Sequence, residues 1–256
     1  MNLKWTKDFF GAWIFYTALP LFPKAKPTFH RIARFAPIIG LIIGLIQTTI
    51  WFILENFGFR QLSITCICLC IGFLITGGIH LDGLMDTFDG LAAKKDNCNL
   101  AMKDSRVGAY GVQSLMIIIL LQIASLFELS NYGAISFPII GFWGRFSSLW
   151  AIEKFPYLHL DNSKSFHHEN WKGMKEMIPS IIILIAWLVI IISIPLSQLT
   201  KNIILIGFTF GILPAILIPN ILGKRLGGHS GDSYGACVVL VETSILAILS
   251  ISGLGW

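Results

Sequence analysis

The sequence predicts an all-α integral membrane protein, with about seven transmembrane helices preceded by an N-terminal interfacial or re-entrant helix. Apolar residues fill 55% of the 256 positions and charged residues only 13%. The mean hydropathy is +0.74, whereas a soluble domain averages about a quarter charged residues. Seven apolar runs approach the roughly 20 residues that a helix needs to cross a bilayer. The positive charges also segregate. With those runs taken as spans, sixteen of the nineteen Lys and Arg residues fall on one side.

The first apolar run, Phe9 to Phe22, is short and contains Pro20. That suits a helix lying on or dipping into the interface better than one that crosses. Pro20, Pro23 and Pro27 follow where a signal peptide would place small cleavage-site residues, which argues against a signal peptide. Spans are expected near 36–54, 62–79, 112–129, 132–152, 178–197, 202–222 and 235–253. They put the N-terminal arm and the segments 80–111, 153–177 and 223–234 on one side. These carry six, four, four and two of the basic residues; Arg60 and Lys201 lie opposite, and Arg145 lies within a span. The positive-inside rule makes the rich side cytoplasmic. The chain reads as a single polytopic membrane domain over residues 1–256, with catalytic cytoplasmic segments near 80–111 and 223–234. Its net charge of +5 follows from this topology. No basic run with interleaved aromatics occurs, so no nucleic-acid partner is expected. Cys66, Cys68 and Cys70 recur at i, i+2, i+4 in an apolar run. They cannot all face one point on a helix, and so read as small packing residues.

All eight aspartates, at 8, 82, 86, 89, 96, 104, 161 and 232, fall on the cytoplasmic side. The positive-inside rule makes no such demand, so they point to a polar site facing that compartment. Asp82, Asp86 and Asp89 form its centre. At i, i+4, i+7 they share one face of a helix, and a stripe of repelling carboxylates suits a hard cation such as Mg²⁺; a solvated helix end shows the same spacing. Met102 to Gly111 adds Lys103, Asp104, Ser105 and Arg106 beside glycines. Cations next to a carboxylate-metal site suit a phosphorylated substrate, and a juxtamembrane turn touching lipid headgroups has the same composition. Lys224 to Gly235 holds Gly227, Gly228, Ser230 and Asp232, a turn able to aim backbone N–H groups at phosphate, although the P-loop order is absent. His229 lies in this turn, and His167 and His168 lie near no further zinc ligands. Arg145 and Glu242 sit within spans, where charge is costly and marks function by default. Arg145 either reaches a substrate phosphate or snorkels to the interface. Glu242 is either a catalytic group or Arg145's partner.

Three sequence blocks carry a resemblance that reaches further. They are Gly77-Gly78-x-His80-Leu81-Asp82-Gly83-Leu84-x-Asp86-Thr87-x-Asp89-Gly90, Met102-x-Asp104-Ser105-Arg106-x-Gly108-x-Tyr110-Gly111, and Gly227-Gly228-x-Ser230-Gly231-Asp232 with Gly235-Ala236. With Thr17-x-Leu19-Pro20, Pro37, Gly40, Gly44, Arg145 and Glu242, they closely resemble the cobalamin synthase family, the adenosylcobinamide-GDP ribazoletransferases, nearly end to end. Met85 stands where that family usually has alanine, Lys103 where arginine is common, and Ala109 and Ser230 where threonines are; no carboxylate is lost.

The resemblance implies a Mg²⁺-dependent transferase of the inner membrane acting in cobalamin (vitamin B12) biosynthesis. Adenosylcobinamide-GDP and α-ribazole or its 5′-phosphate would be its substrates, with release of GMP. Late cobalamin-assembly enzymes and the lipid bilayer would be its partners. It also implies that Asp82, Asp86, Asp89 and Asp104 serve catalysis and hold the metal, with Asp89 or Asp104 taking the proton of the incoming hydroxyl. His80, Lys103, Ser105, Arg106, Arg145, Gly227, Gly228, Ser230 and Asp232 would then bind substrate. Two other enzyme classes place paired aspartates at membrane-helix ends. A CDP-alcohol phosphotransferase expects D-G-x-x-A-R, but Asp82-Gly83 is followed by Leu84-Met85-Asp86-Thr87. A prenyltransferase wants a second D-x-x-x-D segment, and none occurs. A secondary transporter would hold its acids near the midplane, whereas these gather at one face.

Overall fold

The computed structural model describes residues 3–20, 26–94, 97–158 and 166–253. Leu21, Phe22, Pro23, Lys24, Lys95, Asp96, Asp161 and Lys164 lie outside the described residues. The described chain is helical, and its one bridge outside the helices pairs Tyr157 with His229. The helices are α1 (Leu3–Tyr16), α2 (Ala36–Asn56), α3 (Gln61–Ile75), α4 (Ile79–Ala92), α5 (Cys98–Met102), α6 (Ala109–Leu129), α7 (Gly133–Lys154), α8 (Phe166–Asn170), α9 (Ile178–Ser193), α10 (Gln198–Leu226) and α11 (Gly231–Gly253).

Each predicted span coincides with a helix, but the expected count of about seven does not follow from length and apolar character. Four stretches meet both conditions: Ala33–Asn56, which contains α2, then α6, α10 and Gly231–Ile251 of α11. The pair α3 and α4 makes a fifth only if taken together, and it is bent by 87°. The predicted span 62–79 therefore merges a 15-residue helix with the turn that ends it. Helix α9 is apolar but has 16 residues, about 24 Å of rise against a hydrocarbon core of about 30 Å. Helix α7 has 22 residues but carries Arg145, Ser136, Ser147 and Ser148. It tolerates them because other helices surround it instead of lipid. The expected N-terminal helix exists as α1, which starts before Phe9 and ends at Tyr16, ahead of Pro20. It packs Ala12 against Ile32, Ile39 and Ile43, and Thr28 Oγ1 donates to Asp8 at 2.6 Å.

Helices α7 and α11 form the interior. Helices α2 and α10 cover α7, and α4 and α6 lean on α11. The core is built from Trp51, Phe137, Phe142, Leu149, Ile203 and Leu246, all fully or almost fully buried. Rows of Ile and Leu on α6, α9 and α10 face outward, as lipid contact requires. Helices α2 and α7 approach so closely that a Cβ at Gly40 would overlap the Gly141 carbonyl and one at Gly44 would overlap Phe137. Thr48 Oγ1 donates across the same seam to the Ala134 carbonyl at 2.6 Å. Such small-residue seams let backbones touch where lipid supplies no hydrophobic drive between helices. At the end that carries the candidate site, buried Glu176 ties down Arg31 and Arg34; Arg34 Nε donates to it at 2.7 Å.

Because backbone cannot retreat from a new side chain, Gly40→Leu is expected to cost at least about 1–3 kcal/mol. The readout is a lower unfolding temperature or loss of monodisperse protein in detergent. Leu45→Ala, on the exposed side of α2, is expected to leave both unchanged.

Candidate active site

Gly77 and Gly78 both adopt left-handed backbone, at φ 63° and 75°. Their N–H groups close the end of α3 on the carbonyls of Leu74 and Phe73. The chain leaves this turn as α4, which lies outside the four long apolar helices. Asp82, Asp86 and Asp89 all fall on α4, as the i, i+4, i+7 spacing requires. Helix α11 abuts α4 where Gly83 has no side chain: a Cβ there would meet the Asp232 backbone at 2.5 Å. This contact brings Asp232, in the first turn of α11, to the α4 carboxylates. Burial, followed by the charges of Asp82, Asp232 and Asp89, pushes the Asp86 carboxyl up to about 6.

The remaining predicted residues fall in three environments. Both oxygens of Asp89 accept backbone N–H groups from the start of α6, Gly108 at 2.8 Å and Gly111 at 2.8 Å. Asp89 therefore caps that helix from a neighbouring one. Asp104 turns back on Arg106, with Nη2–Oδ2 at 2.6 Å. Those hydrogen bonds hold its carboxyl down to about 2, and it is not among the charges acting on Asp86. Lys103, Ser105 and Arg106 are exposed on the same loop. Gly227, at φ 83°, caps α10, and Ser230 Oγ caps α11 by accepting the Ser233 N–H at 3.3 Å. Between them Gly228 passes close to Pro156. His229 is fully buried, its ring between Ser233 Oγ and the Pro219 carbonyl, each at 3.0 Å. A structural histidine results, kept neutral down to about 4 by burial.

Arg145 neither meets the carboxylates nor snorkels outward. Its side chain is 4% exposed, and Nη1 donates to Glu242 at 2.8 Å inside the bundle. A cavity of about 40 Å³ beside the pair is lined by Gln47, Thr76, His80, Gln122, Arg145 and Glu242, among others. The ring nitrogen Nε2 of His80 is buried there without a hydrogen-bond partner. Burial and the charge of Arg145 hold this imidazole neutral. Gln47 and Gln122 are absent from the sequence-based candidates because a single glutamine in an apolar run carries no pattern.

Two larger concavities flank α4. One, of about 470 Å³, is lined by Asp82, Asp232 and several aromatic rings. The other, of about 650 Å³, is lined by Gly90, Cys98, Lys224, Arg225 and Gly227. The donor chemistry at Asp82, Asp86 and Asp232 fits Mg²⁺: hard oxygens whose mutual repulsion a cation relieves. Among the described residues no three His, Cys, Asp or Glu side chains are arranged to hold an ion by themselves. A Mg²⁺ ion there would have to complete its shell with water and phosphate oxygens.

The chain matches the family model described as Cobalamin-5-phosphate synthase over residues 8–250. It is 49% identical over 249 residues to a protein of Prochlorococcus marinus named Adenosylcobinamide-GDP ribazoletransferase, covering 96% of both chains. A second strain of that organism has a protein of the same name at 46% identity, and Thermosynechococcus vestitus has one at 32%, again with 96% of both chains covered. No solved structure matches.

Two substitutions are expected to act in opposite directions. Asp89→Ala removes two charge-assisted bonds from the start of α6 and should cost about 1.5–3 kcal/mol, read as a fall in unfolding temperature. Asp86 has a folded-state value above the ordinary 3.8, so the folded chain holds its proton more tightly than the unfolded chain does. The resulting penalty is absent below about pH 4 and complete above about pH 6. Asp86→Asn should therefore raise the unfolding temperature at pH 7 in EDTA and leave it unchanged at the acidic end, which a pH series against the parent protein measures.

Proposed function

The chain belongs to the cobalamin-5-phosphate synthase family, and from that membership we propose that it joins adenosylcobinamide-GDP to α-ribazole or its 5′-phosphate with release of GMP. The relatives' names support this final assembly step of coenzyme B12. The observation that carries the reading is the meeting of Asp82, Asp86 and Asp232 at one end of an otherwise apolar bundle.

In this reaction a ribose hydroxyl attacks the phosphorus bearing the cobinamide arm. The bond from that phosphorus to the bridging oxygen breaks, and GMP departs with the electron pair. The hydroxyl proton passes to a carboxylate. Asp89 is engaged by two N–H groups and Asp104 by Arg106, whereas Asp232 shares a concavity with Asp82, so with Asp82 assigned to the metal the proton goes to Asp232. Asp82 and Asp86 would hold Mg²⁺, which would supply positive charge to offset the diphosphate and the leaving GMP. Little covalent work falls to the protein; positioning and charge stabilisation dominate. Lys224 and Arg225, beside Gly227, are placed to pair with phosphate oxygens of the donor.

The same reading sets the topology. Helices α2, α6, α7, α9, α10 and α11 cross, α3 and α4 together make a further crossing around their bend, and both substrates arrive from the cytoplasm. The distribution of Lys and Arg supports this orientation.

Purified protein incubated with adenosylcobinamide-GDP, α-ribazole and Mg²⁺ is expected to yield cobalamin and GMP, and EDTA should abolish both. Asp82→Asn is expected to lower the rate at least about a hundredfold, the scale of losing a main electrostatic contributor. Turnover near that of the parent from a correctly folded Asp82→Asn sample would remove Asp82 from the metal site.

A further inference from the structure

We propose that the aromatic concavity at the start of α4 holds the flat, uncharged base of the acceptor nucleoside, while the donor's guanosine end lies toward the opposite end of the helix. The proposal rests on the transfer reading above and deepens it by assigning each substrate a side of α4.

Rings reach this concavity from separate parts of the fold: Phe15 from α1, Tyr157 from the segment after α7, Phe166 and His167 from α8, and Tyr234 from α11. Phe15 meets His167 edge-on at 5.3 Å and His167 meets Phe166 at 5.6 Å, so α1 and α8 form one continuous wall. Phe15 and Phe166 are 47% and 41% exposed. These large apolar faces are left open on a cavity instead of being buried in the core. Tyr157 is held in place by backbone: Leu158 N–H donates to the His229 carbonyl at 2.8 Å, and His229 N–H donates to that of Pro156 at 3.0 Å. Tyr234 is fixed by a 3.0 Å hydrogen bond between its hydroxyl and His168. Aromatic belts at membrane interfaces face outward around a protein, but these rings converge inward on one space.

The charge around that space identifies the ligand class. Among the described residues, no Lys or Arg lines it, and its ionic groups are Asp82 and Asp232. Burial keeps His167 neutral, at about 4. Among these residues the phosphates of a nucleotide find no cation to pair with, so the lining favours the uncharged end of the acceptor. Lys224 and Arg225 supply the missing cations at the other concavity, near the last turn of α4. A flat heteroaromatic base stacks on rings without needing charge. The volume of about 470 Å³ lies within the roughly 300–1,000 Å³ typical of small-molecule sites. A base seated there puts its ribose at Asp82 and Asp232, where the attacking hydroxyl is needed.

Equilibrium dialysis of α-ribazole, and separately of GDP, against the full-length protein in detergent tests this without relying on turnover. Phe15→Ala and Phe166→Ala are each expected to weaken α-ribazole binding about tenfold or more, the scale of one lost base–ring stack, and to leave GDP binding unchanged. Phe166→Trp should restore it. Unaltered α-ribazole affinity in both alanine variants, no α-ribazole binding by the parent, or an equal loss of GDP affinity would each overturn the proposal. Binding that follows this pattern in a protein without transfer activity would sustain the site and refute the reaction.

Discussion

The right-angle bend between α3 and α4 is the constraint on which the site depends. Two consecutive glycines in left-handed backbone end one helix and start the next at 87°. Only residues without a Cβ adopt that conformation at no steric cost. The bend swings α4 away from the direction of α3 and packs it along α11 and α6. There the first turns of α6 and α11 meet it and supply Asp89 with two N–H partners and Asp82 and Asp86 with Asp232 as a neighbour. Helix N-termini carry partial positive charge, so three starting helices make tolerable a concentration of acids that the apolar interior would reject.

Beneath the site, the interior is held by polarity of another kind. Arg145 and Glu242 neutralise each other between α7 and α11, and Gln122 Nε2 donates to Thr243 across α6 and α11 at 3.0 Å. Breaking a buried pair leaves a lone charge and costs far more than the pair contributes. The position of α7 explains why it holds Arg145 at all. Enclosed by α2, α10 and α11, it meets protein on nearly every face. His80 connects the two regions, since it opens α4 and lines both the small interior cavity and the aromatic concavity.

Much of the fold was legible in the chain, for reasons that differ by element. The positions of α2, α6, α10 and α11 follow from apolar run length, although α10 extends four residues beyond the predicted run at each end and α11 begins four residues early. Helix α7 was located correctly, but its burial was not visible, because a run with one arginine reads the same against lipid as against protein. The run through 62–79 looked like one span, since composition does not report a bend. At the site, the helical spacing of Asp82, Asp86 and Asp89 was readable, yet equal spacing concealed unequal surroundings. Asp89 caps α6 while Asp86 faces other acids.

The sequence by itself determined the helical membrane class, the family and the carboxylate stripe, because run length, charge asymmetry and motif order are local properties of the chain. Only the tertiary structure decided which acids meet and which rings share a cavity. Asp232 lies 150 positions from Asp82, and Phe15 lies 151 from Phe166. Their proximity arises from close helix contacts such as Gly83 against α11, which no local pattern encodes.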